Sequence, residues 1–267
     1  MSSILSPIDE ERDRLVVKDN DLVRKARYNL TVNQQKIIAY VVSKIKPTDD
    51  EFTKYEISIQ DFCAVCGIDK VYFYSEIKEI IDNLDNKAFW VETEEKIFKF
   101  RWFSEVEIIK GSGKVNLLLN SNIKSYLLQL QKDFTKYELY NILALKGKYS
   151  IRLYEWFKSY SFMREKQVEL SRLKYILDAE KYTEFKAFRR RVLEPAIKEI
   201  NEYTDIEVSC EKVTKGRSIT DLIFYIRSKE PMERYGSYRN TIDELNKRAG
   251  ITEGQISLFD KRKEDFE

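Results

Sequence analysis

Arg189, Arg190 and Arg191 stand together in the run TEFKAFRRRVLEPAIKEINEY, and Lys212, Lys215 and Arg217 surround Gly216 a short distance downstream. A guanidinium is a rigid fork of N–H donors that matches the paired acceptors on a guanine edge, whereas a lysine offers phosphate a point charge. Side chains of this kind recognise; they do not make or break bonds. Histidine is absent from the chain. Ser-His-Asp and Cys-His catalysis, His-ligated zinc and two-histidine strand nicking therefore lack their central group.

The elements that must hold these cations follow from periodicity. At about 100° per residue, Phe185, Phe188, Val192, Ala196 and Ile200 share one face of a helix, and Thr183, Ala187, Arg190, Arg191 and Lys198 share the other. Lys186 lies beside the polar face and Arg189 on the border of the apolar stripe. Pro195 lacks the N–H that bonds back to Arg191, which predicts a kink. IEVSCEKV and ITDLIFYIR then read as a β-hairpin around TKGR, where glycine lets the tip approach a backbone closely. Exposed cations on a helix are ordinarily a solvated face, but a basic hairpin at this distance makes the pair a winged-helix DNA reader. The candidate DNA-binding set is Thr183, Lys186, Arg189, Arg190, Arg191, Lys198, Lys212, Lys215 and Arg217.

A related pattern occurs earlier in the chain. TVNQQKIIAYVVSKI reads as a helix capped by Thr31; a short alternating strand, the brief helix SIQDFCAVCGI and the core-facing helix DKVYFYSEIKEIIDNL follow, and then several short strands. A shift of 111 residues lays Ile59 on Leu170, Phe62 on Leu173, Val65 on Ile176, Tyr74 on Phe185, Ile77 on Phe188 and Ile81 on Val192. The expected fold is α+β, two tandem winged-helix domains related by internal duplication. The expected boundaries are a flexible N-terminal arm at 1–17, winged helices at 18–128 and 129–230, and a flexible tail at 231–267 with one short helix around TIDELNKRAG. Charge separates the two copies: Asp69 to Asp85 holds two lysines against five acids, Lys181 to Lys198 six bases against two acids. The second copy is the expected main reader. The first copy lacks that basic face; its aromatics Phe89, Trp90, Phe98, Phe100, Trp102 and Phe103 serve either core packing or an interface.

Composition fits two domains of ~100–200 residues in a chain of 267. With 47 basic and 45 acidic residues the net charge is only +2, so a DNA surface must come from local segregation of charge. No run approaches the ~18 apolar residues of a membrane span, and the start MSSILSPIDEERDR is not a signal peptide, which points to a cytoplasmic protein. Cys63 and Cys66 have the spacing of half a zinc site, yet with only Cys210 elsewhere four ligands cannot be assembled, and a core thiol pair accounts for them. GSGK at Gly111 to Lys114 lacks the remaining parts of a phosphate loop and reads as a hairpin turn. No catalytic residue, metal or cofactor is expected.

The runs LVVKDNDLVRKARYNLTVNQQKIIAYVVSKI, YSIRLYEWFKSY, FRRRVLEPAIKEINEYTDIEV and KGRSITDLIFYI resemble, in order and spacing, the plasmid replication initiator (Rep) family with tandem winged helices, over about residues 15–227. The resemblance implies a protein that binds repeated sites (iterons) in double-stranded origin DNA, helps open the duplex and recruits host replication proteins. It also implies repression of the protein's own promoter by a homodimer formed through the first winged helix, in equilibrium with an initiating monomer. In the tail, Gln255, Ile256, Ser257, Leu258 and Phe259 resemble the pentapeptide with which bacterial replication proteins bind the sliding clamp. Leu and Phe would enter an apolar pocket while Gln fixes the register. A winged-helix transcriptional regulator with no replication role is the alternative on these residues. A partition or structural DNA binder of low sequence preference is a third.

Overall fold

The computed structural model describes residues 7–68, 70–92, 95–249 and 263–266. Helix α1 (Pro7–Asp13) leads into β1 (Leu15–Asp19), α2 (Asn20–Lys25) and β2 (Ala26–Arg27). Thr31 then starts α3 (Val32–Val42) with a reciprocal capping box: its hydroxyl accepts from the Gln34 N–H at 3.3 Å and its own N–H donates to Gln34 Oε1 at 3.1 Å. Every residue from Gln34 to Val42 is buried, so α3 is the central helix of the first unit. Strand β3 (Lys54–Ser58), helix α4 (Ile59–Cys66), ended by Gly67 at φ 60°, and helix α5 (Lys70–Asp85) follow. A hairpin of β4 (Phe89–Glu92) and β5 (Ile97–Phe100) joins β2 in a small sheet. The wing is β6 (Phe103–Ile109) and β7 (Lys114–Leu119), and the main sheet runs β3-β7-β6, antiparallel throughout.

The second unit repeats this topology. After β8 (Phe134–Glu138), α6 (Tyr140–Leu143) and α7 (Lys148–Lys158) come β9 (Glu165–Glu169), α8 (Leu170–Ile176), α9 (Phe185–Phe188), α10 (Glu194–Tyr203), β10 (Ile206–Lys215) and β11 (Ser218–Ser228). The sheet order β9-β11-β10 copies the first unit's. The 111-residue shift maps β3 onto β9 and the start of α4 onto that of α8, and Ile59, Phe62, Val65, Ile77 and Ile81 are all buried, as are Leu173, Ile176, Phe188 and Val192. The Tyr74 and Phe185 pair departs from it. Tyr74 is 40% exposed, because Phe73 continues the stripe of Ile77, Ile81 and Leu84. Beyond the helices the shift fails, since β4 and β5 are inserted only in the first unit.

Two expectations about the ends need correction. The arm expected at 1–17 is structured from residue 7: α1 packs on α4, with Arg12 Nε and Nη2 donating to the Val65 and Ala64 carbonyls at 3.2 Å each, and β1 pairs with β8 from Leu15 opposite Glu138 to Asp19 opposite Phe134. A strand whose partner lies so far along the chain carries no local signal. The tail expected at 231–267 begins with α11 (Pro231–Arg248). Tyr238, Thr241, Ile242 and Leu245 follow helical spacing on an otherwise polar helix and are all buried. Asn240 and Thr241 donate to the Glu202 and Tyr203 carbonyls of α10, and Leu245 lies so close to Gly67 that a Cβ there would meet its carbonyl at 2.9 Å. Helix α11 thus touches both units. No helix among the described residues is long and apolar enough to cross a membrane.

Buried polar groups join the units. Lys18 of β1 pairs with Glu155 of α7 at 2.5 Å, Tyr137 donates to the same carboxylate at 2.6 Å, and Arg152 donates to the Val23 and Ala26 carbonyls at 2.5 and 2.7 Å. Lys36 of α3, 2% exposed, donates to the Leu143 carbonyl at 2.5 Å. Burial pulls its ammonium down to about 8. The unfolded chain holds that proton up to about pH 10.5, so between these values folding releases it and stability rises with pH. Lys36→Met should remove this rise and stabilise the fold near neutral pH by up to roughly 3 kcal/mol, since a shift of one unit is ~1.4 kcal/mol. Urea denaturation at pH 7 and pH 10 measures both; a variant that keeps the slope contradicts the assignment.

Candidate nucleic-acid interface

The expected long helix is built in three parts. Between α9 and α10 the backbone widens into one π-helical turn, Arg189–Leu193, with the Glu194 N–H donating to the Arg189 carbonyl. Pro195 accounts for it: lacking a donor, it leaves the Arg191 carbonyl without its α-helical partner, and the wider turn lies immediately before the proline at which a kink is expected. The widening also brings Leu193 into the core at 2% exposure beside Val192, an inward position the wheel did not assign. The outer arginines keep their side of the helix.

Phe188, Val192, Ala196 and Ile200 are buried as expected and Phe185 is half-buried, while Thr183, Lys186, Arg189, Arg190, Arg191 and Lys198 are all exposed. Arg189 Nε pairs with Glu194 Oε1 at 3.0 Å, and the Thr183 carbonyl accepts from Lys174 at 3.1 Å. Among the described residues no ion pair engages Lys186, Arg190, Arg191 or Lys198. Apart from Arg189, the cations of this face have no ion-pair partner among the described residues.

The wing stands beside it. Strands β10 and β11 pair from Ile206 opposite Ser228 to Lys215 opposite Ser218, with a bulge between Val213 and Thr214 that adds twist. Gly216 and Arg217 form the tip; Gly216 has φ 62°, the left-handed first position of a two-residue hairpin turn. Lys212, Lys215 and Arg217 are exposed, and Lys212 continues the inward row of Ile206, Val208 and Cys210 past the end of the core. Between helix and wing lies a groove of about 690 Å³ whose walls include Arg189, Lys198 and Lys212, with Leu193 and Ile197 as its apolar floor. Sequence periodicity had not picked out the groove, because its floor depends on the π turn. Burial raises the Cys210 thiol on its wall to about 11, and the Glu211 carboxylate adds to this, so it is an inert wall residue.

The structure thus brings all nine expected DNA-contact residues onto one unit, in two groups: an outer helical face with Thr183, Lys186, Arg190 and Arg191, and a groove and wing with Arg189, Lys198, Lys212, Lys215 and Arg217. Such a pair offers arginine forks to base edges and lysines to phosphate. Cys63 and Cys66 are buried, and burial raises the Cys66 thiol to about 12. Among the described residues no cluster of cysteine and carboxylate side chains is placed to hold a metal ion. Gln255, Ile256, Ser257, Leu258 and Phe259 lie outside the described residues.

Two tandem winged helices, the second bearing a basic helix and a basic wing, define the class as a winged-helix nucleic-acid reader. The family described as "Initiator Replication protein, WH1" matches residues 15–158, and "Initiator Rep protein, WH2" matches residues 169–226. The chain belongs to this initiator replication protein family. A "Replication initiation protein" of Escherichia coli is 27% identical over 246 residues, covering 87% of this chain and 75% of that protein. An "Uncharacterized 27.6 kDa protein" of Escherichia coli is 22% identical over 234 residues, 79% of this chain and 95% of that one. Among solved structures, the fold matches the "Pi initiator protein in complex with iteron DNA" with a TM-score of 0.70 at 20% identity, over 82% of this chain and 99% of that one.

Proposed function

We propose that the chain is a plasmid replication initiator that binds repeated origin sites (iterons) in double-stranded DNA and recruits host replication proteins to them. The observation that carries this is the basic face of α9 and α10 beside a basic wing, in a chain of the initiator family. Domain 18–128 dimerises and makes accessory contacts, and domain 129–230 reads bases. The exposed Trp90, Ile97 and Phe98 of the β4 and β5 hairpin offer an apolar patch for dimerisation. The dimer represses the protein's own promoter, and the monomer initiates. The protein works in the cytoplasm by binding alone, with no metal, cofactor or catalytic step. The duplex-bound Pi initiator supports the iteron assignment by likeness of fold.

A plasmid carrying the DNA that flanks the gene should replicate only when this chain is supplied, and deletion of direct repeats in that DNA should abolish replication. Replication without the chain, alongside retained promoter repression, favours a transcriptional regulator. Residues Gln255 to Phe259 bind the sliding clamp as a linear motif, Leu258 and Phe259 filling an apolar pocket and Gln255 fixing the register. Leu258→Ala with Phe259→Ala should weaken binding to purified clamp at least 10-fold, about 1.4 kcal/mol, with origin binding unchanged. Unchanged clamp affinity would refute the motif.

A further inference from the structure

Three lysines remote in sequence converge where the two units meet. Lys148, at the start of α7, donates to Asn29 Oδ1 at 2.8 Å and sits 4.9 Å from the centroid of the Tyr149 ring. Tyr149 meets Tyr182 edge to face at 6.4 Å, and Lys181 lies 5.3 Å over the Tyr182 ring. Lys87, in the turn that closes α5, donates to Gln34 Oε1 at 3.0 Å, and the neighbouring Gln35 amide donates to the Lys148 carbonyl at 3.0 Å. The cluster therefore draws on three separate elements and both units.

No carboxylate among the described residues is paired with it. No ion pair joins Lys87, Lys148 or Lys181 to a carboxylate. The acids nearest in the fold are already engaged: Arg27 holds Asp178 at 2.8 Å and Glu180 at 2.5 Å, and Glu199 accepts from the backbone N–H groups of Lys146 and Gly147 at 2.9 and 3.1 Å. Burial first, then the charges of Lys181 and Lys87, depress the Lys148 ammonium, with Asp178 opposing. Like charges gathered without an ion-pair partner of their own raise the free energy of the unliganded fold and favour a polyanion.

The place of the cluster says which polyanion. Lys181 lies just before Glu184, the N-cap of α9, and the N-terminal end of a reading helix is the part that enters the major groove. Lys87 closes the far end of α5, the equivalent helix of the first unit, its N–H donating to the Leu84 carbonyl at 3.1 Å. One surface thus adjoins the start of α9 and the end of its first-unit counterpart, α5.

We propose that Lys87, Lys148 and Lys181 form a seam clamp for DNA phosphates, gripping the backbone strand that passes from the second unit's groove site towards the first unit. The clamp fixes the spacing of the two units on the duplex, adding affinity without adding sequence preference. It rests on the reading that this chain binds double-stranded DNA.

The test is a set of titrations over a range of salt concentrations, on a duplex holding the origin repeats and on a random duplex, with the full-length chain and Lys87→Gln/Lys148→Gln/Lys181→Gln. Each phosphate neutralised contributes about 0.9 to the slope of log affinity against log salt, so the triple variant should lose roughly 2–3 from that slope. Its affinity should fall by the same factor on both duplexes. Lys181→Gln alone, at an exposed side chain whose one structural contact is with the Tyr182 ring, should lower the slope by about 0.9. Unchanged slopes in a chain that still prefers origin DNA overturn the clamp and leave the initiator reading standing. A loss confined to origin DNA also overturns it, because it makes these residues base readers. No duplex binding by the unaltered chain overturns both.

Discussion

Glu155→Ala is expected to destabilise the fold by ~3–5 kcal/mol, the cost of leaving a buried charge without its partner. Glu155 is 2% exposed and Lys18 4%, and they meet at 2.5 Å across the seam between the two units. Burial drives the Glu155 carboxyl upward, but Lys18, the Tyr137 hydroxyl and Arg152 outweigh it and hold the group below its ordinary 4.5. A depressed carboxyl contributes stability above its unfolded value and loses it as the pH falls through the folded one. The seam should therefore weaken in acid below about pH 4.5. Urea denaturation of Glu155→Ala at neutral pH checks the magnitude, and Glu155→Leu with Lys18→Met should recover part of the loss, since an apolar pair leaves no charge stranded but takes the acceptor from the Tyr137 hydroxyl. A cost under about 1 kcal/mol for the single variant would place this pair among surface bridges and contradict its role in joining the units.

Replacing Arg190 or Arg191 by alanine should act on sequence preference and hardly on stability. Both side chains are exposed and lack ion-pair partners among the described residues, so their removal should change folding by no more than ~0.5 kcal/mol. A bidentate contact to a guanine edge is worth ~1–3 kcal/mol of discrimination, and the double variant should lose about twice that where the two contact separate base pairs. Lys215→Ala, at the wing tip, should instead lower affinity for every duplex alike and reduce the salt slope by about 0.9. Equal losses on specific and random DNA for both arginines would make them phosphate contacts and move base reading elsewhere on the helix.

Most of the basic surface proposed to meet DNA was legible in the sequence because it is local. The stripe from Phe188 to Ile200, the arginines opposite it and the glycine at the wing tip all lie within one helix and one hairpin, whose periodicity and turn chemistry are short-range. The duplication was legible for the same reason, through the strand and two helices that keep their spacing, and it was lost where β4 and β5 intervene. What escaped depends on partners far along the chain. Strand β1 is defined by β8, α11 by grooves on α6 and α10, and the seam by Lys18, Lys36, Arg152 and Glu155, charged residues that any composition rule assigns to the surface. The π turn at Arg189–Leu193 escaped for a subtler reason. A proline in a helix announces that a backbone bond must be lost, but the surrounding packing decides where the wider turn forms.

The second winged helix is expected to read sequence. The most direct measurement is the affinity of the full-length chain for a duplex carrying the direct repeats beside its gene, against a scrambled duplex of equal length and composition, at one fixed salt concentration. The repeats should bind at least ~10³-fold more tightly, and Arg190→Ala with Arg191→Ala should collapse most of that ratio. Equal affinity for the two duplexes, with the same salt slope, would mean that the basic face holds phosphates alone and that the chain does not select its site.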